Sequence, residues 1–348
     1  MAKTYSNIYP KIYDFESLYY AFCRANKGKE KSGQAAKEER LRFKFHLEEN
    51  LIQIQNELIW HTYESGQYHH FLVHEPKVRE VAALPFRDRV VHHAIVAAIE
   101  PFFESRFIHH SYACRAGKGT HAGVDATQKM MRIVKRNHGK VYALKADIRK
   151  YFASINHDVL IRLIEKRIAC KETMDLIKLV LATTQSPGIP LGNLTSQLFA
   201  NIYLDALDQF VKHRLRAKHY VRYMDDFVIL HHDKALLKEW KEEIKCFLWH
   251  ELGLVTNNKT QIFPVHHLHG RGLDFIGARI WPTHRKIRKD SAKRFRHRVK
   301  KMQRDFAAGR ITLKNIRERI ISWVNHASYC DSKITVASEL KRAVFKTR

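Results

Sequence analysis

The chain has 348 residues, of which 45% are hydrophobic and 11% aromatic: enough for a sizeable core, and too apolar for a disordered protein. Lys and Arg number 62 against 35 Asp and Glu, and the resulting formal charge of +27 argues for a polyanionic partner, most simply nucleic acid. Five scattered cysteines without a CxxC pair suggest neither a disulfide framework nor a zinc site, and no apolar run reaches membrane-span or signal-peptide character, so the expected setting is reduced, cytoplasmic and free of membrane.

In chain order, residues 24–33 read as a polar loop and 34–59 as a helix with Leu41, Phe45, Glu48 and Ile52 along one face, an imperfect apolar stripe. Residues 68–73 and 78–84 read as a strand pair joined through His74-Glu75-Pro76-Lys77. Pro85 and Asp88 open an apolar helix that buries Val91, Ala94, Ile95, Ala98 and Ile99. Arg115-Ala116-Gly117-Lys118-Gly119-Thr120 is a Gly-rich basic loop without the P-loop pattern. It suits either contact with a nucleic-acid backbone through Arg115 and Lys118 or an ordinary turn into the helix expected over 123–137.

Residues 141–148 read as a buried strand carrying Asp147 near its end. Asn156 starts a helix running to about Arg167. Pro187, Gly188, Pro190 and Gly192 then break the chain ahead of a long apolar helix over 195–213. In His219-Tyr220-Val221-Arg222-Tyr223-Met224-Asp225-Asp226-Phe227-Val228-Ile229-Leu230, two adjacent acids interrupt what otherwise reads as two short strands. The expected form is a tight hairpin with Asp225 and Asp226 at its tip. A helix over 236–251 follows. Residues 253–256 and 261–265 then flank an Asn257-Asn258 turn, and 273–277 return as a strand.

Composition changes at Pro282. Residues 285–304 carry eleven Lys or Arg and one acid, with Phe295, Val299, Met302 and Phe306 at helical spacing; Leu313, Ile316, Ile320, Val324 and Ala327 mark a second helix. The expectation is a small helical domain with apolar faces packed together and Arg294, Arg298 and Lys301 on an outward face that grips a duplex backbone. Histidines occur in five adjacent pairs. His266-His267-Leu268-His269 is the one stretch with a metal-binding look, but no Cys or carboxylate stands with it.

Two like charges side by side disfavour each other's ionisation, and a cation is the usual reason to keep them. If the strand ending at Asp147 neighbours the acidic hairpin, three carboxylates converge. That geometry suits two Mg²⁺ ions, which favour oxygen ligands and clamp the attacking and leaving oxygens of a phosphoryl transfer.

Tyr223-Met224-Asp225-Asp226 resembles the YxDD motif of reverse transcriptases, and Ala146-Asp147-Ile148-Arg149-Lys150-Tyr151-Phe152 resembles their first metal-binding motif. Pro190-Leu191-Gly192-Asn193-Leu194-Thr195-Ser196-Gln197 stands where that family carries a PQGxxxSP-like stretch. Asn258-Lys259-Thr260 and Phe275-Ile276-Gly277 resemble its later palm motifs, and Lys77-Val78-Arg79 with Phe86-Arg87-Asp88-Arg89-Val90 the fingers motifs of the group II intron branch. The resemblance covers roughly residues 70–280. It implies an α+β fold in the form of a right hand: residues 1–66 a helical extension, 67–281 interleaved fingers and palm, 282–348 a basic helical thumb. It implies that Asp147 and Asp225 hold two Mg²⁺ ions with the Ile148 carbonyl assisting and Asp226 supporting. Lys77 and Arg79 then meet the incoming triphosphate, Phe152 gates against a 2′-hydroxyl, Leu191 and Gly192 lie at the nucleotide, and Lys259 is a candidate general acid toward the pyrophosphate.

Two positions depart from the common pattern: Leu191 replaces the Gln before the glycine, and Gln197 the Pro after the serine. This form resembles reverse transcriptases of diversity-generating retroelements. Such enzymes copy a template-repeat RNA into cDNA misincorporated at template adenines, for mutagenic retrohoming, together with a small basic oligomeric accessory protein, the accessory variability determinant. Implied partners are therefore template RNA, the RNA/cDNA duplex, dNTPs and that accessory protein. The alternatives are a retron-like, defence-associated or group II intron-derived reverse transcriptase, and a non-catalytic RNA-binding protein on a polymerase scaffold.

Overall fold

In the computed structural model, which describes residues 4–28, 33–74 and 78–346, the chain begins with helices α1 (Pro10–Tyr13), α2 (Phe15–Asn26), α3 (Gln34–Phe45) and α4 (Leu47–Ile59). Strands β1 (His69–Val73) and β2 (Arg79–Ala83) follow, then helices α5 (Phe86–Glu104) and α6 (Thr120–His138) and strand β3 (Tyr142–Asp147). Next come a 3-10 turn (Tyr151–Ser154), α7 (His157–Glu165), α8 (Lys171–Ala182) and α9 (Leu194–Gln209), which runs into a π turn (Phe210–Arg214). The hairpin β4 (Tyr220–Tyr223) and β5 (Asp226–His231), helix α10 (Lys234–Leu252) and strands β6 (Gln261–Pro264), β7 (Leu273–Phe275), β8 (Ala278–Ile280) and β9 (Arg285–Ile287) complete the middle of the chain. Helices α11 (Lys289–Ala307), α12 (Leu313–Ser328) and α13 (Lys333–Leu340) close it.

The described residues fall into two compact units. The first takes in the chain up to Ile108, with Ile148–Leu215 and Glu243–Asn257; the second takes in His109–Asp147, Arg216–Glu242 and the chain from Asn258 onward. In the first, α5 packs against α1, α2 and α9. Helix α9 is enclosed on most sides, burying Leu198, Phe199, Ala200, Ile202, Tyr203, Leu204 and Leu207 together with the polar Thr195, Ser196, Asn201, Asp205 and Asp208. The helix expected across 34–59 is broken at His46, whose backbone turns to ψ 47°. The Asn50 side-chain amide donates to the carbonyls of His46 (2.7 Å) and Phe43 (3.1 Å), tying the two sides of the break together. β1 and β2 form an antiparallel hairpin with His69 opposite Ala83 and Val73 opposite Arg79.

The second unit is built on an antiparallel sheet in the order β4-β5-β3-β6. Strand alternation places Ala143, Val221, Val228, Leu230 and Phe263 on one face, where they join Val124, Met130, Met131 and Val134 of α6 in a single core. Of residues 253–256, which precede the Asn257-Asn258 turn, Thr256 makes a single bridge to Ile148 in the first unit. The strand expected at 273–277 stops at Phe275 and turns at Ile276-Gly277 into a meander with β8 and β9. α11 buries Phe295, Val299 and Met302, and its exposed side carries Arg294, Arg298 and Lys301. Phe295 stacks on Trp323 of α12 with ring centroids 3.8 Å apart, and Arg296 pairs with the buried Glu339 of α13. Among the described residues no helix is long and apolar enough to cross a membrane.

Truncating the Trp323 ring empties a site that Phe295 cannot refill. Trp323→Ala is expected to destabilise this helical packing by about 3–5 kcal/mol, read as a lower urea midpoint in circular dichroism. An unchanged midpoint would show that the stack contributes nothing.

Candidate active site

Asp147, Asp225 and Asp226 all belong to the second unit. β3 lies between β5 and β6, and its register sets Asp147 directly opposite Asp226. Asp226 is therefore the first residue of a strand rather than part of the hairpin tip. The two-residue connection is Met224-Asp225, and Met224 takes φ +55°, a left-handed conformation that costs a non-glycine residue energy. Arg222, fully buried, donates from Nη1 to the Met224 carbonyl at 3.1 Å and so fixes the turn from beneath. Its backbone is held in turn by the strand-like segment at Ser111, through Arg222 N to the His110 carbonyl and Tyr112 N to the Arg222 carbonyl, both 2.9 Å.

Like charges directly opposite one another across a sheet repel, and here a third carboxylate joins them. Burial, then the neighbouring Asp147 carboxyl within hydrogen-bonding reach, raises the Asp225 carboxyl well above the usual range. Burial pushes Asp226 up to about 6, against the opposing pull of Lys145. Lys145 lies two residues before Asp147 on the same face of β3. Its Nζ stands 3.4 Å from Asp226 Oδ2 and donates to the Asp274 carbonyl at 2.7 Å. Asp274 in turn accepts from Arg279 at 2.9 and 2.8 Å. Neither Lys145 nor Arg222 is among the site residues read from the sequence, although strand alternation carries a signal for both: a lysine on the acid's face, and an arginine where an apolar residue belongs.

The donors suit divalent metal. They are oxygens only, they are crowded, and Asp226 Oδ1 is buried with no hydrogen-bond partner. Among the described residues no group of three His, Cys, Asp or Glu side chains is arranged to hold a metal ion by itself.

The residues assigned to the nucleotide lie in the first unit, apart from Lys259, which is exposed in the second. Arg79 is exposed on β2; Lys77 lies outside the described residues. Phe152 is half-buried in the 3-10 turn, and its carbonyl accepts from Ile189 N at 2.8 Å. Ile148 is buried. The Leu191 carbonyl accepts from Ala82 N at 2.9 Å. Gly192, at φ +124°, lies so close to β2 that a Cβ there would stand 2.7 Å from the Ala82 carbonyl oxygen. Gln197 is half-buried in the first turn of α9. Arg115 and Lys118, in the second unit, are engaged by their own loop: Arg115 donates to the Ser111 carbonyl and Lys118 to that of His109.

With this geometry established, comparison with known proteins gives a consistent result. Residues 73–280 match the family described as reverse transcriptase (RNA-dependent DNA polymerase). The chain is 28% identical over 257 residues to protein YkfC of Escherichia coli K12, a match covering 62% of this chain and 65% of that protein. It is 30% identical over 146 residues to the group II intron-encoded protein LtrA of Lactococcus lactis, covering 39% of this chain and 23% of LtrA. A third match, 26% over 152 residues, is to nuclear intron maturase 2 of Arabidopsis thaliana, covering 39% and 20%. The matches thus span less than two thirds of each of these proteins. Telomerase from Candida tropicalis, solved in complex with a telomeric RNA fragment, superposes with a TM-score of 0.52 at 13% identity, over 84% of this chain and 59% of that one. The polymerase fold, mixed helix and antiparallel sheet, is therefore established.

Because the folded chain holds Asp226 up to about 6 against an ordinary 3.8, it binds more protons than the unfolded chain between those values, and metal-free stability falls as pH rises through that window. Asp226→Asn removes this decline. In chelator, the variant is expected to melt above wild type from about pH 6 upward and level with it near pH 4. Parallel melting curves across that range would refute the assignment.

Proposed function

The chain belongs to the reverse transcriptase family, and we propose that within it this protein copies a template-repeat RNA into error-prone, adenine-mutagenic cDNA for mutagenic retrohoming, in the manner of diversity-generating retroelements. The observation that carries the reading is the segment from Leu191 to Gln197, aliphatic before its glycine and glutamine after its serine. A Gln side chain at 191 could reward correct base-pair geometry with a directional hydrogen bond. Leu191 offers shape alone, so mispairs lose less relative to correct pairs.

In this reading Asp147 and Asp225, with the Ile148 carbonyl and Asp226 in support, hold two Mg²⁺ ions. Bound there, the ions supply charge neutralisation and orientation for in-line nucleotidyl transfer. Arg79 and Lys77 bind the triphosphate. Phe152 lies beneath the sugar, where a ring leaves room for hydrogen but not for a 2′-hydroxyl. Lys259 delivers a proton to the departing pyrophosphate. Residues 1–66 form an extension, 67–281 the fingers and palm, and 282–348 a thumb whose Arg294, Arg298 and Lys301 contact the RNA/cDNA duplex through its phosphates. Arg115 and Lys118 border the nucleic-acid path. The partners are template RNA, dNTPs and a small basic oligomeric accessory protein, in the cytoplasm.

A second reading, an intron-encoded type of reverse transcriptase, is favoured by the likeness to LtrA and to a nuclear intron maturase.

RNA-templated primer extension separates these. Asp225→Ala should lower cDNA synthesis by about 10³-fold or more while RNA binding persists, the scale expected for losing a principal electrostatic contact. Full cDNA yield from that variant would refute polymerase chemistry at this site. Leu191→Gln should reduce misincorporation opposite template adenine. An unchanged error rate would overturn the adenine-mutagenic reading and leave the intron-encoded type.

A further inference from the structure

Asn193 occupies the N-cap position of α9, where an asparagine side chain normally accepts a backbone N–H of the first turn. It makes no capping bond. Its side-chain amide instead donates to the Tyr68 hydroxyl at 2.8 Å. The directions of the neighbouring bonds follow. Thr183 Oγ1 donates to the Val180 carbonyl at 2.6 Å, so it accepts from Tyr68 OH at 3.2 Å, which leaves the Tyr68 oxygen to receive the Asn193 amide. One relay therefore joins the foot of β1, the C-terminal end of α8 and the start of α9. Asn193 is buried, and giving up its helix cap for this bond points to a demand other than helix stability.

That demand is visible in the adjoining residues. Leu191 and Gly192 are pressed on β2 by the Ala82 bond and by a contact too close for any Cβ. On the other side of Asn193, the buried Thr195 hydroxyl is held by His92 Nδ1 at 2.8 Å. Asn193 is thus the link between a turn fixed on β2 and a helix fixed on α5. β2 also carries Arg79. All of these residues lie in the first unit.

We infer that the Tyr68–Asn193 hydrogen bond is a positioning device that sets the Leu191-Gly192 turn against β2 and thereby fixes the seat of the incoming dNTP. The inference rests on the proposed placement of the nucleotide at Leu191. Tyr68 and Asn193 act through the turn, not on the substrate. Without the Tyr68 hydroxyl, the Asn193 side chain is free to rotate and cap α9, which compensates the helix while releasing the turn.

The test is steady-state primer extension on an RNA template with Tyr68→Phe, Asn193→Ser and the double variant. Serine caps a helix but is too short to reach Tyr68. Each single variant should raise KM for all four dNTPs about tenfold with kcat little changed, the signature of lost binding rather than lost chemistry, and with an unchanged melting temperature. The double variant should be no worse than either single, because both remove one bond. Discrimination should fall evenly across template bases, whereas Leu191→Gln, run alongside, should act at template adenine. KM within twofold of wild type in both singles, or additive effects in the double, overturns the inference while a response to Leu191→Gln leaves the nucleotide placement standing. If extension proceeds and neither Leu191→Gln nor the brace variants change KM or errors, the placement fails and the inference with it.

Discussion

The repulsion among three carboxylates is the constraint on which the second unit depends. Asp147 and Asp226 face each other across two central strands, and Asp225 is held beside them by a turn whose first residue is forced to positive φ. A sheet left to its own energetics would separate these charges. Here the sheet cannot slip, because a shift of one residue would move Val228 and Leu230 out of the core shared with α6. Packing on one half of a sheet face thus enforces an electrostatically unfavourable arrangement on the other half. The relief supplied from within is small: Lys145 at 3.4 Å, itself tied to the Asp274 carbonyl, and the weaker pull of the Arg288 charge. A field of this sign is one that divalent cations relieve.

Much of this could be read from the residues in order. The strands around Asp225 and Asp226 are short and rich in β-branched and aromatic residues, and the strand before Asp147 is a short apolar run after Gly139, so their existence follows from local chemistry. Their adjacency does not. It becomes an expectation only when three acids are assumed to share a purpose, and the register that puts Asp226 rather than Asp225 opposite Asp147 is set by tertiary packing. The break at His46 escaped for a related reason: Asn50 stabilises it from within a stretch whose periodicity continues on both sides. The meander of β8 and β9 escaped because three-residue strands carry too little pattern to register.

The residues that hold the site were harder to see than those that form it. Lys145 and Arg222 break the apolar alternation of their strands, a signal that is legible once the strands are known. Tyr68 offers no such signal. Its partner Asn193 lies 125 residues further along the chain, and nothing local distinguishes this tyrosine from the others. By position, directly ahead of α9, Asn193 is an ordinary helix-cap residue. Only the structure reveals that its amide is used elsewhere.

This bears on how inaccuracy could arise in such a polymerase. A loose nucleotide seat would admit every wrong base alike, and would also bind the right one poorly. The turn at Leu191 is not loose: its carbonyl is bonded to β2, its glycine touches the same strand, and the next residues are tied to Tyr68 and His92. A selective error at one template base therefore cannot come from slack in the backbone. Under the proposed function it would come from what the side chain at 191 omits, a directional hydrogen bond, presented on a backbone rigid enough for that omission to be felt at one base pair and not at others. On that proposal rigidity and infidelity are compatible, since the brace would keep the nucleotide in place while the apolar side chain withheld the geometric check.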